Sequence, residues 1–134
     1  MTKILEGYGV RYKYVRDFSD SLAKQEIEAH LRTGNPVIFV VAAKSRKAGA
    51  VANKWTSGYH CMTMLGMTDT GKVIVADSVD RSTKTFGNNQ RIKYASLGEL
   101  IGYMFPCTNT TSTSIYWGGK ASSGGYILIN PQNQ

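Results

Sequence analysis

The amino-acid sequence predicts an α+β fold in which helices flank an antiparallel sheet. Segment 20–32 carries apolar residues along one helical stripe, and several other segments are short apolar runs bounded by turn residues. Two of these runs lie on either side of a polar turn at 68–71, which is the pattern of an antiparallel hairpin. At 134 residues the chain is long enough for a hydrophobic core, and we expect one domain, 1–134.

Two helices and two strands are predicted in the first third of the chain. Residues 4–8 form the end of a short helix that stops at a glycine, and residues 10–15 form a strand. Residues 20–32 form a longer helix behind a serine or aspartate cap, with His30 beside its apolar stripe as a structural side chain. The apolar run 37–42 is uninterrupted, so we expect a central strand that is buried on both faces.

The rest of the chain alternates polar loops with short elements. The basic segment 43–54 is expected to be a solvated loop and a flexible rim over the site. Segment 78–90 is polar and contains a turn signal, and a serine then caps a short helix at 97–105. Residues 115–117 and 126–129 are predicted to pair as a closing hairpin across a loop rich in glycine and serine.

Residues 55–77 contain the histidine and aspartate around which we expect the function to be organised. His60 lies near the start of one strand and Asp77 at the end of the next. Strand side chains alternate between faces, and either register of the predicted turn places Met62 opposite Asp77. His60 then lies diagonally from Asp77 on the same face, about 7–8 Å away between backbone positions, which one side-chain hydrogen bond can span. Such a pair is a general base with its orienting carboxylate; the alternative is a core histidine and a turn aspartate.

Composition and charge exclude several kinds of function. No apolar run approaches the ~20 residues of a membrane span, and no signal peptide is expected before Gly7, so we expect no membrane partner. The net charge of +7 favours an anionic partner, but the basic residues are scattered and no nucleic-acid motif accompanies them, so nucleic acid is not expected. Two cysteines, Cys61 and Cys107, form neither a disulfide framework nor a metal cluster, so we expect no metal and no cofactor. The compartment is left open by these observations.

Several motifs occur in one order along the chain. They are Gly-Asn-Pro-Val-Ile from residue 34, Trp-Thr-Ser-Gly-Tyr-His from residue 55, Gly66, and Gly-Lys-Val-Ile-Val-Ala-Asp from residue 71. Over roughly residues 4–105 the sequence resembles the papain-like cysteine peptidases related to bacteriocin-leader-processing peptidases, in the branch found in bacterial cell-wall hydrolases and phage lytic proteins. The resemblance implies that His60 is the general base and Asp77 its orienter. We expect substrate to be bound by the residues just before the histidine: Trp55, Ser57, Gly58 and Tyr59.

The position of Trp55 leaves two interpretations open. It either forms an aromatic wall at the rim of the site or packs in the core.

The chain departs from the family pattern at the nucleophile. Members of the family place a cysteine at the start of a helix well before the histidine, whereas this chain has no cysteine before Cys61. Cys61 follows His60 directly, so its side chain is expected on the opposite face of the strand. No pattern places Cys107 near the pair, and we expect both cysteines to be small buried hydrophobic residues. The resemblance is therefore to a papain-like half-domain that lacks the N-terminal cysteine helix.

Three interpretations of this departure remain open. The chain is the C-terminal half of a longer peptidase, or another chain supplies the cysteine helix, and in both cases it acts on peptides or peptidoglycan cross-links of the bacterial cell wall. The third interpretation is an inactive binding module that holds a peptide or small anionic ligand in the former cleft. Such a module is compatible with a phage origin. Because the strand at 37–42 needs cover on both faces, we expect a homo-oligomer or a partner polypeptide over the sheet. Export or phage delivery within a larger protein is compatible with the sequence.

Overall fold

The computed structural model of the protein describes residues 2–78, 91–107, 115–116, 119–120 and 124–131. Its helices are α1 (Thr2–Gly7), α2 (Asp20–Arg32) and α3 (Leu97–Tyr103). Its strands are β1 (Tyr12–Val15), β2 (Val37–Ala42), β3 (Tyr59–Met67), β4 (Lys72–Ala76), β5 (Ile92–Ser96), β6 (Ile115–Tyr116), β7 (Gly119–Lys120) and β8 (Tyr126–Ile129). These helices and the antiparallel pairing of the strands confirm the predicted α+β class.

Six of the strands form one antiparallel sheet in the order β1-β8-β2-β3-β4-β5. Strand β2 pairs with β8 on one side and with β3 on the other. Strands β6 and β7 pair with each other in a separate two-stranded sheet. The hairpin of β3 and β4, which holds the predicted site, therefore lies inside the larger sheet, with β5 along its outer side.

Helix α2 has the bounds and the cap that the sequence predicts. The Ser19 side chain accepts a hydrogen bond from the backbone N–H of Leu22 at 3.4 Å, as an N-cap residue does. Gly34 follows the helix with a φ of +87°, a conformation that favours glycine. The buried side of α2, which includes His30, packs against β2 and β3. The helix therefore covers the middle of the sheet.

The hydrophobic core lies between one face of the sheet and helices α2 and α3. Along β2, Val37, Phe39 and Val41 are fully buried, whereas Ile38 and Val40 between them are only partly buried. The expectation that this strand is buried on both faces is therefore wrong among the described residues. The physical reason is that both helices that pack against β2 contact the same face of the sheet.

The C-terminal strands pair differently from the prediction. No closing hairpin joins the described parts of 115–117 and 126–129, because β6 pairs with β7 and β8 pairs with both β1 and β2. Tyr126, Ile127 and Leu128 of β8 are all buried. A strand that is buried on both of its faces fits inside a sheet better than at its edge, which explains the long-range pairing.

Strand β5 is absent from the sequence prediction. It pairs with β4 at the edge of the sheet, and its burial alternates, with Lys93 and Ala95 facing the core. The turn predicted within 78–90 lies outside the described residues. The helix after β5 is capped by Ser96 as predicted, through a hydrogen bond from the backbone N–H of Glu99 at 3.2 Å. Strand β5 and the capped helix that follows it therefore border the β3–β4 hairpin on its outer side.

Candidate functional site

The β3–β4 hairpin has the predicted register at its open end but not at its turn. Met67 lies opposite Val73, so the turn contains one residue more than predicted. A β-bulge at Leu65 takes up the extra residue on the other strand. Beyond the bulge Met64 pairs with Val75 and Thr63 with Ala76, which is the predicted register, and Asp77 follows directly after β4.

His60 and Asp77 are in direct contact. Nε2 of His60 lies 2.7 Å from Oδ1 of Asp77, which confirms the predicted hydrogen bond. The two side chains are 15% and 2% exposed, so the histidine is the member of the pair that reaches the surface. The backbone N–H of Asp77 donates to the carbonyl of Arg91 at 2.7 Å, which ties the aspartate to the start of β5.

A third side chain, Lys93, contacts Asp77. Its Nζ lies 3.0 Å from Oδ2 of Asp77, and its side chain is 1% exposed. The Asp77 carboxylate therefore lies between His60 on β3 and Lys93 on β5. Lys93 is absent from the sequence prediction, and alternation would have pointed it outward, because the larger apolar residues of the strand, Ile92 and Tyr94, are the exposed ones.

These contacts determine which nitrogen of His60 carries the proton. A carboxylate that accepts from an ammonium group is ionised and can only accept hydrogen bonds. In the neutral ring, the proton in the contact with Asp77 therefore belongs to Nε2 of His60, and the lone pair belongs to Nδ1. Within the described part of the chain, no side chain hydrogen-bonds to Nδ1. The site thus presents one basic ring nitrogen, which is what a general base requires.

Trp55 lies in the core and not at a rim. It is 1% exposed and belongs to the hydrophobic core cluster, with the Lys54 ammonium 5.8 Å from the centre of its ring. Of the two interpretations of Trp55, core packing is the one observed, and the expected aromatic rim is wrong. The adjoining Lys54 also pairs with Glu99 of α3, which holds this part of the chain against the helix.

The other predicted substrate-binding residues lie at the surface. Ser57 and Tyr59 are exposed and Gly58 is partly exposed, and all three directly precede His60. The backbone N–H of Gly58 donates to the hydroxyl of Thr56 at 3.2 Å, which shapes the turn before β3. Substrate binding by these residues stays a prediction.

Neither cysteine faces His60. Cys61 pairs with Val40 and points to the sheet face opposite the histidine, where its side chain is exposed. The expectation that it is buried is wrong, because the packing helices cover only the other face. Desolvation by neighbouring groups nevertheless raises the pKa of the Cys61 thiol, which disfavours the thiolate that a nucleophile needs. Cys107 is buried, as predicted, and its N–H donates to Arg16 at 2.6 Å, about three strand spacings or 14 Å from β3.

The basic loop at 43–54 is anchored to the helices. The Arg46 guanidinium donates to the carbonyls of Met104 at 2.8 Å and Ile101 at 2.7 Å, and to the carboxylate of Asp20 at 2.9 Å. Residues 44 and 46–53 are exposed, which confirms the solvated loop, whereas its flexibility as a rim over the site stays a prediction. The carbonyls at the end of α3 attract the cation, because the last carbonyls of a helix lack helical partners.

The described ranges contain neither a metal-binding group of side chains nor a membrane-crossing helix. No group of three or more His, Cys, Asp or Glu side chains is arranged there to hold a metal ion. No helix of these ranges combines the length and the apolar character that crossing a bilayer requires.

Comparison with models of protein families identifies the family to which the sequence is similar. Residues 1–100 match the model of the Peptidase C39 like family. This range includes the β3–β4 hairpin and all three members of the His60–Asp77–Lys93 group. A search of the curated proteins finds no match to the sequence.

Proposed function

The chain belongs to the Peptidase C39 like family, and on that basis we propose that it supplies the histidine and aspartate of a cysteine-peptidase site. The observation that carries the proposal is the 2.7 Å contact between Nε2 of His60 and Oδ1 of Asp77. The contact leaves Nδ1 as the basic nitrogen, on a side chain that reaches the surface. His60 is thus the general base, and Asp77 holds its ring in one orientation and one tautomer.

The reaction is hydrolysis of an amide by a thiol. Nδ1 of His60 takes the proton of a cysteine thiol, and the resulting thiolate attacks the amide carbonyl. The imidazolium then gives the proton to the leaving amine, so that an acyl thioester remains for water to hydrolyse. Asp77 stabilises the imidazolium throughout these steps without taking the proton.

The thiol in this proposal comes from neither cysteine of the chain. Cys61 points away from His60, and Cys107 lies about three strand spacings from β3. A cysteine on another segment, either joined to this chain or on a separate polypeptide, is required beside Nδ1. Both arrangements use the same His60–Asp77 pair.

Peptides or peptidoglycan cross-links of bacterial cell wall are the proposed substrates. Ser57 is exposed in the segment directly before β3, which supports access of a peptide to this end of the strand, whereas Tyr59 shares the strand face of Cys61. The net charge of +7 suits an anionic wall polymer.

The test uses the native assembly, by which we mean the protein tagged at its own chromosomal gene and purified with the polypeptides that accompany it. We expect the native assembly to hydrolyse fluorogenic peptides or purified peptidoglycan, and His60→Ala to lower turnover by about 10²–10⁴-fold. His30 is the only other histidine, which makes His30→Gln a matched control that keeps turnover. Turnover that survives His60→Ala refutes the proposal.

A second candidate function is favoured by the positions of the two cysteines. A chain whose thiols both face away from the histidine also suits a binding module that holds a peptide or small anionic ligand beside His60. The native assembly would then bind peptidoglycan fragments without hydrolysing them. Binding that weakens on His60→Ala and is kept in His30→Gln, together with an absence of turnover, distinguishes this function from the first.

A further inference from the structure

Strand β5 forms an unprotected edge of the described sheet. It pairs with β4 on one side, and the strand order of the sheet ends with it. Edge strands are usually protected from association by proline, by a β-bulge or by outward charged side chains. Strand β5 contains no proline, its register with β4 has no bulge, and the side chain of its only charged residue, Lys93, is 1% exposed. The strand itself therefore lacks these forms of protection.

The backbone groups of Ile92 and Tyr94 point away from β4. The N–H of Asp77 donates to the carbonyl of Arg91 at 2.7 Å, and bonded positions alternate along an antiparallel ladder. In the register of the two strands, Lys93 is therefore the next position that bonds to β4. The N–H and C=O groups of Ile92 and Tyr94 lie on the free side of β5, and no described backbone group outside the sheet bonds to them. The edge thus offers both donors and acceptors to a further strand.

The side chains of Ile92 and Tyr94 are accessible as well. They are 42% and 58% exposed, on the sheet face opposite the helices. A strand added along β5 would place alternate side chains beside them, and cross-strand contacts of β-branched side chains with such residues stabilise paired strands. The backbone groups and the side chains therefore favour the same occupant, an extended peptide.

The charges at the ends of β5 indicate the chemistry of that peptide. Lys72 lies opposite Ser96 at one end, and Arg91 precedes the strand at the other end, with both basic residues exposed. The carboxylate of Glu99, just beyond the strand, is already paired with Lys54. Acidic residues at the ends of a peptide would therefore be attracted to this edge, and a chain with a net charge of +7 favours an acidic partner.

We propose that the edge of β5 binds an extended segment of another polypeptide by antiparallel strand addition. The segment carries β-branched side chains opposite Ile92 and Tyr94 and acidic residues at its ends, and its backbone bonds to theirs. A second copy of the chain suits this edge less well, because antiparallel pairing of two β5 strands brings their basic ends together. A homo-oligomer formed through the sheet face opposite the helices leaves the edge open. The proposal concerns this edge alone and does not depend on the peptidase function.

The test is an NMR titration of the ¹⁵N-labelled isolated chain with a synthetic probe peptide, in which valine and threonine alternate between glutamates at both ends. We expect saturable binding in which the amide signals of Ile92 and Tyr94 shift most, because their N–H groups gain an acceptor. A probe with lysine in place of glutamate is expected to bind more weakly. No change at these two amides would refute strand addition, and equally tight binding of the lysine probe would refute an acidic partner.

N-methylation of the probe tests the hydrogen bonds without changing the protein. In the antiparallel arrangement the valine residues lie opposite Ile92 and Tyr94, so their amides face β5 and the threonine amides face away. Methyl groups on the valine amides are expected to weaken binding by about 10-fold or more, whereas methyl groups on the threonine amides have little effect. Equal effects of the two methylated probes would overturn the proposal.

A pair of variants tests the same bond from the side of the protein. Tyr94→Pro removes an N–H that points away from β4, as edge strands tolerate, and Tyr94→Ala is the matched control that keeps this N–H. We expect Tyr94→Pro to bind the probe about 10-fold more weakly than Tyr94→Ala does. Equal affinity of the two variants would contradict the proposal. Shifts of the Ile92 and Tyr94 amides that depend on protein concentration, without any probe, would place a second copy at this edge instead.

Discussion

Replacing Asp77 with alanine is expected to destabilise the protein by about 3–5 kcal/mol, the usual cost of removing one member of a buried ion pair. The side chains of Asp77 and Lys93 are 2% and 1% exposed, so solvent offers the remaining ammonium group little compensation. The same substitution removes the contact with His60. The loss is measured as the change in the free energy of unfolding in urea, with the slope m checked for constancy.

A surface ion pair of the same chain provides the control. Glu28 and Arg32 of α2 lie 2.8 Å apart, but their side chains are 37% and 64% exposed. Glu28→Ala is therefore expected to cost no more than about 0.5 kcal/mol. The comparison separates the effect of burial from the effect of deleting any carboxylate.

A double substitution tests the reasoning further. Asp77→Ala combined with Lys93→Met removes both charges, and replacement of a whole buried pair by apolar groups is often neutral. We expect the double variant to recover most of the stability that Asp77→Ala loses. Such a recovery would mean that the effects of the two substitutions are strongly coupled. A loss below about 1 kcal/mol for Asp77→Ala, or strictly additive effects of the two substitutions, would refute the account of this group.

Three further predictions concern the isolated chain. We expect it not to hydrolyse peptides or purified peptidoglycan, because neither cysteine faces His60; turnover that Cys61→Ala abolishes would show that this thiol reaches the ring after all. Because desolvation raises the pKa of the Cys61 thiol, we expect its alkylation by iodoacetamide to be slow at neutral pH. The rate should keep rising with pH above about 8.5, the ordinary pKa of a thiol, and buried Cys107 is the slow reference. A rate that levels off below about pH 8 would contradict this prediction. We expect a homo-oligomer in light scattering, since the sheet face opposite the helices exposes apolar side chains on β3 and β5; a monomer would contradict it.

The contact between His60 and Asp77 was predictable because it depends on local rules. Strand side chains alternate with a period of two, and a short turn brings adjacent strands into register. The turn prediction was wrong by one residue, yet the bulge at Leu65 restored the pairing at the site. The alternation of side chains along each strand therefore predicted correctly that His60 and Asp77 share a face. The predicted length of the turn was less accurate.

Features that depend on distant parts of the chain were not predictable in this way. Strand β8 pairs with β1 and β2, which no local pattern indicates. Lys93 was missed because strand β5 itself was not predicted, and its pairing with β4 brings the side chain to Asp77. Trp55 was left with two interpretations because only the packing of α3 and the loop around Lys54 decides between rim and core. The burial of Trp55 and the ionic partner of Lys93 depend on tertiary packing, which local sequence patterns do not specify.

The proposed thiolate–imidazolium pair is tested most directly by alkylation of the native assembly at about pH 6, followed by mass spectrometry. At this pH an ordinary thiol, with a pKa of about 8.5, is almost fully protonated and reacts slowly. We predict rapid modification of one cysteine other than Cys61 and Cys107, which is lost in His60→Ala and kept in His30→Gln. Modification that is equally rapid in wild type and His60→Ala would contradict the role of His60 as the base.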